Sequence, residues 1–445
     1  MKKKYYIQTF GCQMNVHDSE RIAALLTSAG HERTKDAVNA DYIILNTCSV
    51  REKAAQKAYS QLGIFRELKR KNPRLVIGVG GCLAQQWGEK FLKKAPYLDM
   101  VFGTRNFHRL PKLINDVETT CLPVVDTSLD KSPESAAAVI PQNGQVSSYV
   151  TIMQGCDNFC AYCVVPYLRG REESRKPDDI ITEVERLAAH GIKEVTLLGQ
   201  NVNSYGKGLP QGADFVDVLR RVSSIGGIER IRFTTSHPKD LSPELIRCYA
   251  EIDKLCEHIH LPVQSGSDQV LRRMNRGYNR EEYMERVARL REVYPDISIT
   301  SDMIVGFPGE TDEDFQKTID LMEHVRFDNL FSFKYSERKG TVAADFDGKV
   351  SESIKGERLQ ILQSLQETHT LAKNKKMEGQ VVDILVEGRS KNSSGEVMGR
   401  TRTNKIVNFK GGPALIGKTL PVVIALAYRH SLRGELLSKK EIDRC

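Results

Sequence analysis

The sequence predicts an α/β chain in three parts: a parallel α/β (Rossmann-like) domain, an open (β/α)6 partial TIM barrel, and a small C-terminal β-barrel of the oligonucleotide-binding (OB-like) kind. Three observations predict it. Apolar strands alternate with helical stretches as far as residue 370, the order that builds parallel sheets. The stretch Ser128–Ser147 (SLDKSPESAAAVIPQNGQVS) is small, polar and without period, which marks a linker. After residue 370 the pattern changes to short strands with Gly-rich turns, as in small closed barrels. A chain of 445 residues exceeds one ordinary core, since domains run roughly 100–200 residues. The expected division is 1–127, a linker 128–147, 148–370 and 371–440.

In the first part, strands are expected at Tyr5–Phe10, Tyr42–Leu45, Leu75–Val79 and Met100–Phe102, with helices over Asp18–Ser28, Glu52–Lys71 and Leu83–Lys94. In the second, six strands are expected at Tyr149–Gln154, Glu194–Leu198, Arg230–Thr235, His258–Val263, Ser298–Val305 and Asn329–Tyr335. Helical patterns such as Pro177–His190, Pro243–Ile252, Arg280–Val293 and Thr311–His324 separate them, which suggests an open relative of the (β/α) barrel. A long helix, Val350–Lys375, leads to strands at Gln380–Val386, Glu396–Arg402, Lys405–Phe409 and Thr419–Ala427.

Composition narrows the class. Hydrophobic residues make up 40% and charged residues 27%, ordinary values for a globular protein. No run of 18 or more apolar residues occurs, so no membrane span is expected. Met1-Lys2-Lys3-Lys4 leads into Tyr5–Phe10, which is too short and polar for a signal-peptide core. A cytoplasmic location follows, and in a reducing compartment spaced cysteines point to metal or catalysis more than to disulfides. The net charge of +8 is unevenly placed: residues 371–445 hold 15 Lys and Arg against 7 Asp and Glu, and the rest is neutral. Such a surplus suits a polyanion such as nucleic acid; a solvated basic surface is the alternative.

Six of the ten cysteines form two sets. Cys156-Asp157-Asn158-Phe159-Cys160-Ala161-Tyr162-Cys163 is a CxxxCxxC run just after the first barrel strand. Three thiolates can hold three irons of a [4Fe–4S] cube and leave the fourth open. A structural zinc ion needs four protein ligands, and no fourth cysteine stands nearby. The spacing, with an aromatic before the third cysteine, matches the radical S-adenosylmethionine superfamily. The second set is distributed: Cys12, Cys48 and Cys82 each follow one of the first three strands. A single buried cysteine is usually inert core. Three at the same point of successive parallel strands converge at the carboxyl edge of the sheet and would hold a second cluster with one open iron. Cys121, Cys248, Cys256 and Cys445 join neither set and read as plain thiols.

With both sets identified, the sequence resembles the methylthiotransferase family of radical S-adenosylmethionine enzymes over essentially its whole length. The residues behind this are Thr9–Asn15, Asn46–Ala54, Gly80–Gln85, Thr235–Pro238, His260–Ser267 and Ile304–Glu310. The resemblance implies a methylthiotransferase domain, a radical domain and a terminal TRAM domain. It implies a cluster on Cys156, Cys160 and Cys163 that binds S-adenosylmethionine at its open iron and cleaves it to a 5′-deoxyadenosyl radical. It also implies a second cluster, on Cys12, Cys48 and Cys82, that supplies sulfur, methylated by another S-adenosylmethionine. The expected product is a methylthio group on carbon 2 of N6-isopentenyladenosine beside the tRNA anticodon. An aromatic C–H has no useful acidity, so general-base catalysis would not serve there. An electron donor such as flavodoxin or ferredoxin and a monomeric chain belong to the same implication.

Further residues are assigned on the same resemblance. Tyr162, Gly199, Gln200, Asn201, Ser236, Gln264, Ser265, Val305 and Gly306 are expected around S-adenosylmethionine, most of them at barrel strand ends. Arg169, Arg171 and Arg175 would meet tRNA phosphates or the S-adenosylmethionine carboxylate, or else pair with Glu172 and Glu173. In the terminal barrel, Arg389, Lys391, Arg400, Arg402, Lys405 and Lys410 are candidates for phosphate contact. His237, His258 and His260 have no metal-ligand spacing and read as structural. Sister branches of the family act on threonylcarbamoyl-adenosine in tRNA or on a ribosomal-protein aspartate. The Ser49–Lys53 and Thr235–Pro238 segments favour the isopentenyl-adenosine branch. The rival of another class is a non-catalytic RNA-binding module with structural zinc.

Overall fold

Runs such as YIILNT and VIGVGG, apolar without alternation, form strands buried on both faces, as central strands of a helix-covered parallel sheet must be. The computed structural model describes residues 2–49, 52–130, 141, 144–210, 212–391 and 393–437; of residues 52–55 it describes the backbone. Val50 and Arg51, the side chains of Glu52 to Ala54, most of the linker, and Cys445 therefore lie outside the described residues. Internal contacts group the chain into two units: Met1–Ile140 with Gln154–Asp157 and Val164–Arg175, and Pro141–Met153 with Asn158–Cys163 and Lys176–Cys445. Two short pieces expected in the central part thus belong by contact to the first unit, and the two barrels share the second.

The first unit is a six-stranded parallel sheet. Its strands are β1 (Lys4–Thr9), β2 (Glu32–Arg33), β3 (Tyr42–Thr47), β4 (Val76–Gly81), β5 (Met100–Phe102) and β6 (Val124–Asp126), in the order β2-β1-β3-β4-β5-β6. Alternate residues of β3 serve opposite faces. Ile43 and Leu45 pack with Leu62, Phe65 and Phe91, whereas Ile44 packs with Ile22, Leu26 and Phe102. A Cβ on Gly80 would stand 2.3 Å from the Phe102 ring, so glycine lets that ring lie against β4. The helix expected over Leu83–Lys94 is two, Cys82–Trp87 and Glu89–Lys94, broken at Gly88 with φ +48°. The short edge strands β2 and β6 have only two and three residues, too few to carry a period; the helix Leu110–Thr120, whose Leu110, Leu113, Ile114 and Val117 are buried at helical spacing, adds to the elements expected from the sequence.

Short strands β8 (Met153–Gln154) and β9 (Glu173–Ser174) flank the cysteine run in sequence. In the second unit, β7 (Ser147–Thr151), β10 (Glu194–Leu198) and β11 (Arg230–Phe233) form one parallel sheet. A second holds β12 (His258–His260), β13 (Ser298–Val305) and β14 (Asn329–Lys334). A bridge from Ile231 to Leu255 continues one toward the other, giving six parallel strands in sequence order, an open (β/α)6 barrel. Its helices start where caps direct: Ser242 accepts from Leu245 N, and Asn279 with Glu282 and Thr311 with Asp314 form capping boxes, each satisfying amides the helix itself cannot.

Helix Glu352–Lys375 leads to the closed barrel β15 (Val381–Arg389), β16 (Glu396–Arg400), β17 (Ile406–Lys410), β18 (Thr419–Ala427) and β19 (Leu432–Leu436), ordered β15-β16-β17-β19-β18. Ile384, Val386, Val397, Val407, Phe409, Val422, Ile424 and Leu432 fill it. Among the described residues no helix is long and apolar enough to cross a membrane.

Candidate functional site

Strand register gathers the first thiols. Thr9 of β1 pairs with Asn46 of β3, and Asn46 with Gly80 of β4, so the three carboxyl ends are level. Cys48 and Cys82 stand two residues beyond that level and Cys12 three. Glycines let the loops crowd. Gly11 has φ +145°, and a Cβ on it would lie 2.3 Å from Asn15 Oδ1 and 2.8 Å from the Cys48 Cβ. Gly81 has φ +89°, and its Cβ would lie 2.4 Å from Asn46 Oδ1 and from Thr47 O. Only glycine tolerates such backbone at such approach. Two buried amides lock the loops. Asn15 Nδ2 donates to Asn46 Oδ1 and Thr47 O, both at 3.1 Å, and Asn46 Nδ2 donates to Asn15 O at 2.9 Å and Ser19 Oγ at 3.0 Å.

Arg169 completes this site, paired with Asp18 and not with Glu172 or Glu173. It lies in the first unit, buried, with Nη2 3.1 Å from Asp18 Oδ2. Val164 and Leu168 pack on Cys82, and Arg105 anchors the segment through Arg169 O, Arg171 O and Glu173. Burial works against the Arg169 charge, but Cys82, Asp18 and Cys12 hold it firmly cationic. Burial also pushes the Cys82 thiol up, with Arg169 opposing. Nη1 of Arg169 has no hydrogen-bond partner among the described residues. Among the described residues no three Cys, His, Asp or Glu side chains are drawn together for one shared metal ion. A cube makes a different demand, because each thiolate takes its own iron. Three crowded thiols beside a buried guanidinium with a donor to spare suit a sulfur-rich anion of that kind.

The CxxxCxxC run is divided by contact, Cys156 with the first unit and Cys160 and Cys163 with the second. In the first unit, Gly155 has φ +81° and a Cβ there would fall 1.9 Å from Arg171 O. Cys156 N donates to Gly170 O at 3.2 Å, and Asp157 takes Arg171 Nη1 at 3.3 Å. In the second unit, a turn at residues 274–276 clamps the run. Ala161 N donates to Met274 O at 2.9 Å, and Asn275 Nδ2 donates to Asn158 O and Phe159 O at 3.1 Å. Phe159 and Asn275 both have positive φ, 45° and 58°; strain of this kind persists only where surrounding contacts impose it. Arg276, which the sequence reading did not single out, is buried behind the run. Its Nη1 is 3.4 Å from Cys160 Sγ and from Tyr162 Oη, Nη2 donates to Pro262 O at 2.7 Å, and Nε to Tyr278 Oη at 3.1 Å.

Apart from Tyr162, which lies in the cysteine run, the residues expected around S-adenosylmethionine fall at or a few residues beyond the carboxyl ends of the barrel strands, and several are already engaged. Asn201 gives its amide to Asp240 Oδ2 at 2.7 Å and accepts from His237 N at 3.1 Å, so its side chain braces two loops. Ser265 Oγ accepts from Ser267 N at 3.2 Å and lies 3.4 Å from Thr318 Oγ1. Val305 points into the core, and its carbonyl accepts from Tyr335 N at 2.8 Å. Gly306 N donates to Glu310 Oε1 at 2.9 Å. In each of these four a polar group is thus already paired within the unit, as is usual for buried polar groups. Gly199 lies against Met153, where a Cβ would be 2.4 Å from Cγ. Gln200 follows it, partly buried. Ser236 Oγ is buried with no hydrogen-bond partner among the described residues. Gln264 has φ +74°. His258 and His260 share Thr300 Oγ1, and His237 Nδ1 accepts from Lys239 N.

The terminal barrel divides its basic residues. Arg402 Nε meets both oxygens of Glu257 at 2.8 and 2.9 Å, and its Nη2 donates to Asp253 O and Leu255 O. Lys405 Nζ is 3.2 Å from Asp328 Oδ1 and 2.9 Å from Asn374 Oδ1. Arg400 pairs with Glu387 at 3.1 Å. From the central barrel, Arg230 donates to Arg400 O and Asp383 O, and Arg232 to Thr401 O and Arg402 O. Arg400, Arg402 and Lys405 thus each have a carboxylate partner within the unit. Arg389, Lys391 and Lys410 are exposed.

Comparison with known proteins agrees with this layout. Residues 4–103 match the Uncharacterized protein family UPF0004, 150–322 the Radical SAM superfamily and 375–437 the TRAM domain. In fold the chain is similar to the radical S-adenosylmethionine methyltransferase TsrM from Kitasatospora setae, with a TM-score of 0.55 and 15% identity over 77% of this chain and 74% of that one. In sequence it is 62% identical to tRNA-2-methylthio-N(6)-dimethylallyladenosine synthase of Syntrophus aciditrophicus, over 99% of this chain and 96% of that one. The protein of the same name from Geobacter metallireducens is 52% identical over 98% of each chain, and that from Caldicellulosiruptor saccharolyticus is 50% identical over 98% of this chain and 93% of that one. At such identity along the whole length, this chain belongs to the tRNA-2-methylthio-N(6)-dimethylallyladenosine synthase family.

Proposed function

We propose that this protein adds a methylthio group to carbon 2 of N6-isopentenyladenosine beside the anticodon of tRNA, with S-adenosylmethionine as both radical source and methyl donor. The observation that carries the reading is one chain with two three-cysteine sets, at two different strand-end sites, in a whole-length relative of the named synthases. When bound, one [4Fe–4S] cluster, on Cys156, Cys160 and Cys163, supplies the electron that splits S-adenosylmethionine, and the other, on Cys12, Cys48 and Cys82, supplies the sulfur. The chain's own residues hold and orient. The turn at 274–276 fixes the run that carries Cys160 and Cys163. Asn15, Asn46 and the crowded glycines fix the thiols of the first unit. Ser236, Gln264, Gly199, Gln200 and Tyr162 lie at or near barrel strand ends, where this fold binds ligands; the unpartnered Ser236 hydroxyl favours that residue as a direct contact.

The reading extends to an electron donor such as flavodoxin or ferredoxin, a monomeric chain, a cytoplasmic location set by the tRNA substrate, and a division into 1–127, 148–370 and 371–440. Arg389, Lys391 and Lys410 hold tRNA phosphates without choosing the base. Cysteine variants test the division of labour. Cys156→Ala is expected to abolish 5′-deoxyadenosine formation. Cys48→Ala is expected to keep abortive cleavage of S-adenosylmethionine and lose methylthiolation. Equal loss of cleavage in both variants would contradict it.

A further inference from the structure

Arg276 is a buried cation without a carboxylate. Its side chain makes four polar contacts, to Cys160 Sγ, Tyr162 Oη, Pro262 O and Tyr278 Oη, and no ion pair with Asp or Glu among the described residues. The residue is 4% exposed. A lone charge out of water costs several kcal/mol unless an anion compensates it. The group in reach that becomes anionic on binding iron is the Cys160 sulfur, 3.4 Å away. The side chain is also held still. Tyr278 accepts from Nε and donates its own proton to Val263 O at 2.8 Å, and the preceding Asn275 is bonded to the cysteine run itself.

We propose that Arg276 is a positioning residue that sets the reduction potential of the cluster on Cys156, Cys160 and Cys163 by donating to the Cys160 sulfur from a fixed, buried guanidinium. The inference rests on the reading of those three cysteines as cluster ligands. Reduction adds one negative charge to the cluster. A fixed cation a few ångström away, in surroundings that screen poorly, stabilises that added charge. Loss of the cation makes the cluster harder to reduce.

The test uses the full-length chain with Cys12, Cys48 and Cys82 replaced by Ala, so that one cluster titrates. Arg276→Gln and Arg276→Lys are made in it and reconstituted anaerobically with iron and sulfide. Iron is counted, and the cluster is titrated with dithionite and viologen mediators while the reduced form is followed by electron paramagnetic resonance. R276Q is expected to keep its iron and lose about tenfold in the reduction equilibrium, a fall of about 59 mV for one electron. R276K keeps the charge and is expected to recover most of that. An unchanged midpoint in R276Q overturns the proposal. A full fall in R276K overturns it too, because the charge is then not what acts. If R276Q holds no iron, R276K decides by the same criterion; if neither variant holds iron, Arg276 builds the loop and the proposal fails. Absence of iron from the parent would instead defeat the reading of the cysteines.

Discussion

Replacing Arg402 by Ala separates holding a fold from holding RNA. The guanidinium makes three bonds to Glu257 and two to the carbonyls of Asp253 and Leu255. Glu257 is 8% exposed, so the variant strands a buried carboxylate and two carbonyls. Breaking a buried ion pair from one side costs about 3–5 kcal/mol. The Arg402 side chain keeps 29% of its surface, and water screens part of the pair, which brings the expectation down to about 2–3 kcal/mol. The assay is urea denaturation followed by circular dichroism, beside tRNA binding at several salt concentrations. Arg402→Ala is expected to lower the denaturation midpoint and leave the salt slope of binding unchanged. With Glu257→Ala added, the double variant should lose less than the sum of the singles, since the stranded carboxylate is gone. Stability within about 0.5 kcal/mol of the parent, with a shallower salt slope, would show that Arg402 meets phosphate and refute the reasoning.

Three further outcomes are expected. Replacing Arg389, Lys391 or Lys410 by Ala should leave stability alone and lower the log–log salt slope of tRNA binding by roughly 0.7–0.9 per lost phosphate contact; unchanged slopes in all three would mean that RNA lies elsewhere. Anaerobic reconstitution should give about eight irons per chain, and about four when either cysteine set is changed to Ala, counted by iron assay. Burial raises the Glu20 carboxyl to about 7, with Arg33 opposing. A proton held more tightly in the folded chain favours folding below the unfolded value, and that advantage is lost as pH rises through 7. Glu20→Gln should therefore flatten the fall in stability between pH 5 and 8, by at most about 3 kcal/mol, and parallel stability–pH curves would rule this out.

Periodicity and spacing carried much of the fold. β5, β10, β13 and β18 begin and end where alternation and flanking turns place them, and the level of Cys12, Cys48 and Cys82 follows from three apolar strands of similar reach. What escaped was of two kinds. Elements of two or three residues, such as β2 and β6, have no pattern to read. Tertiary partners have none either. Arg400, Arg402 and Lys405 look like phosphate ligands in a basic stretch, and only the fold sets Arg402 beside Glu257 and Lys405 beside Asp328, 145 and 77 residues away in sequence. Arg276 carries no signal in the sequence except its place after Asn275, and nothing in the sequence pairs Arg169 with Asp18, 151 residues away. A buried arginine cannot be told from an exposed one by residue type; it takes the burial and the missing carboxylate to see it.

The account's central claim is the identity of the product. Transfer RNA from cells lacking this chain, digested to nucleosides and separated by mass-detected chromatography, measures it directly. The account predicts loss of 2-methylthio-N6-isopentenyladenosine and a matching rise in N6-isopentenyladenosine, both reversed by the intact gene but not by one carrying Cys48→Ala. Unchanged methylthio-isopentenyladenosine, or a rise in unmethylthiolated threonylcarbamoyl-adenosine instead, would contradict it.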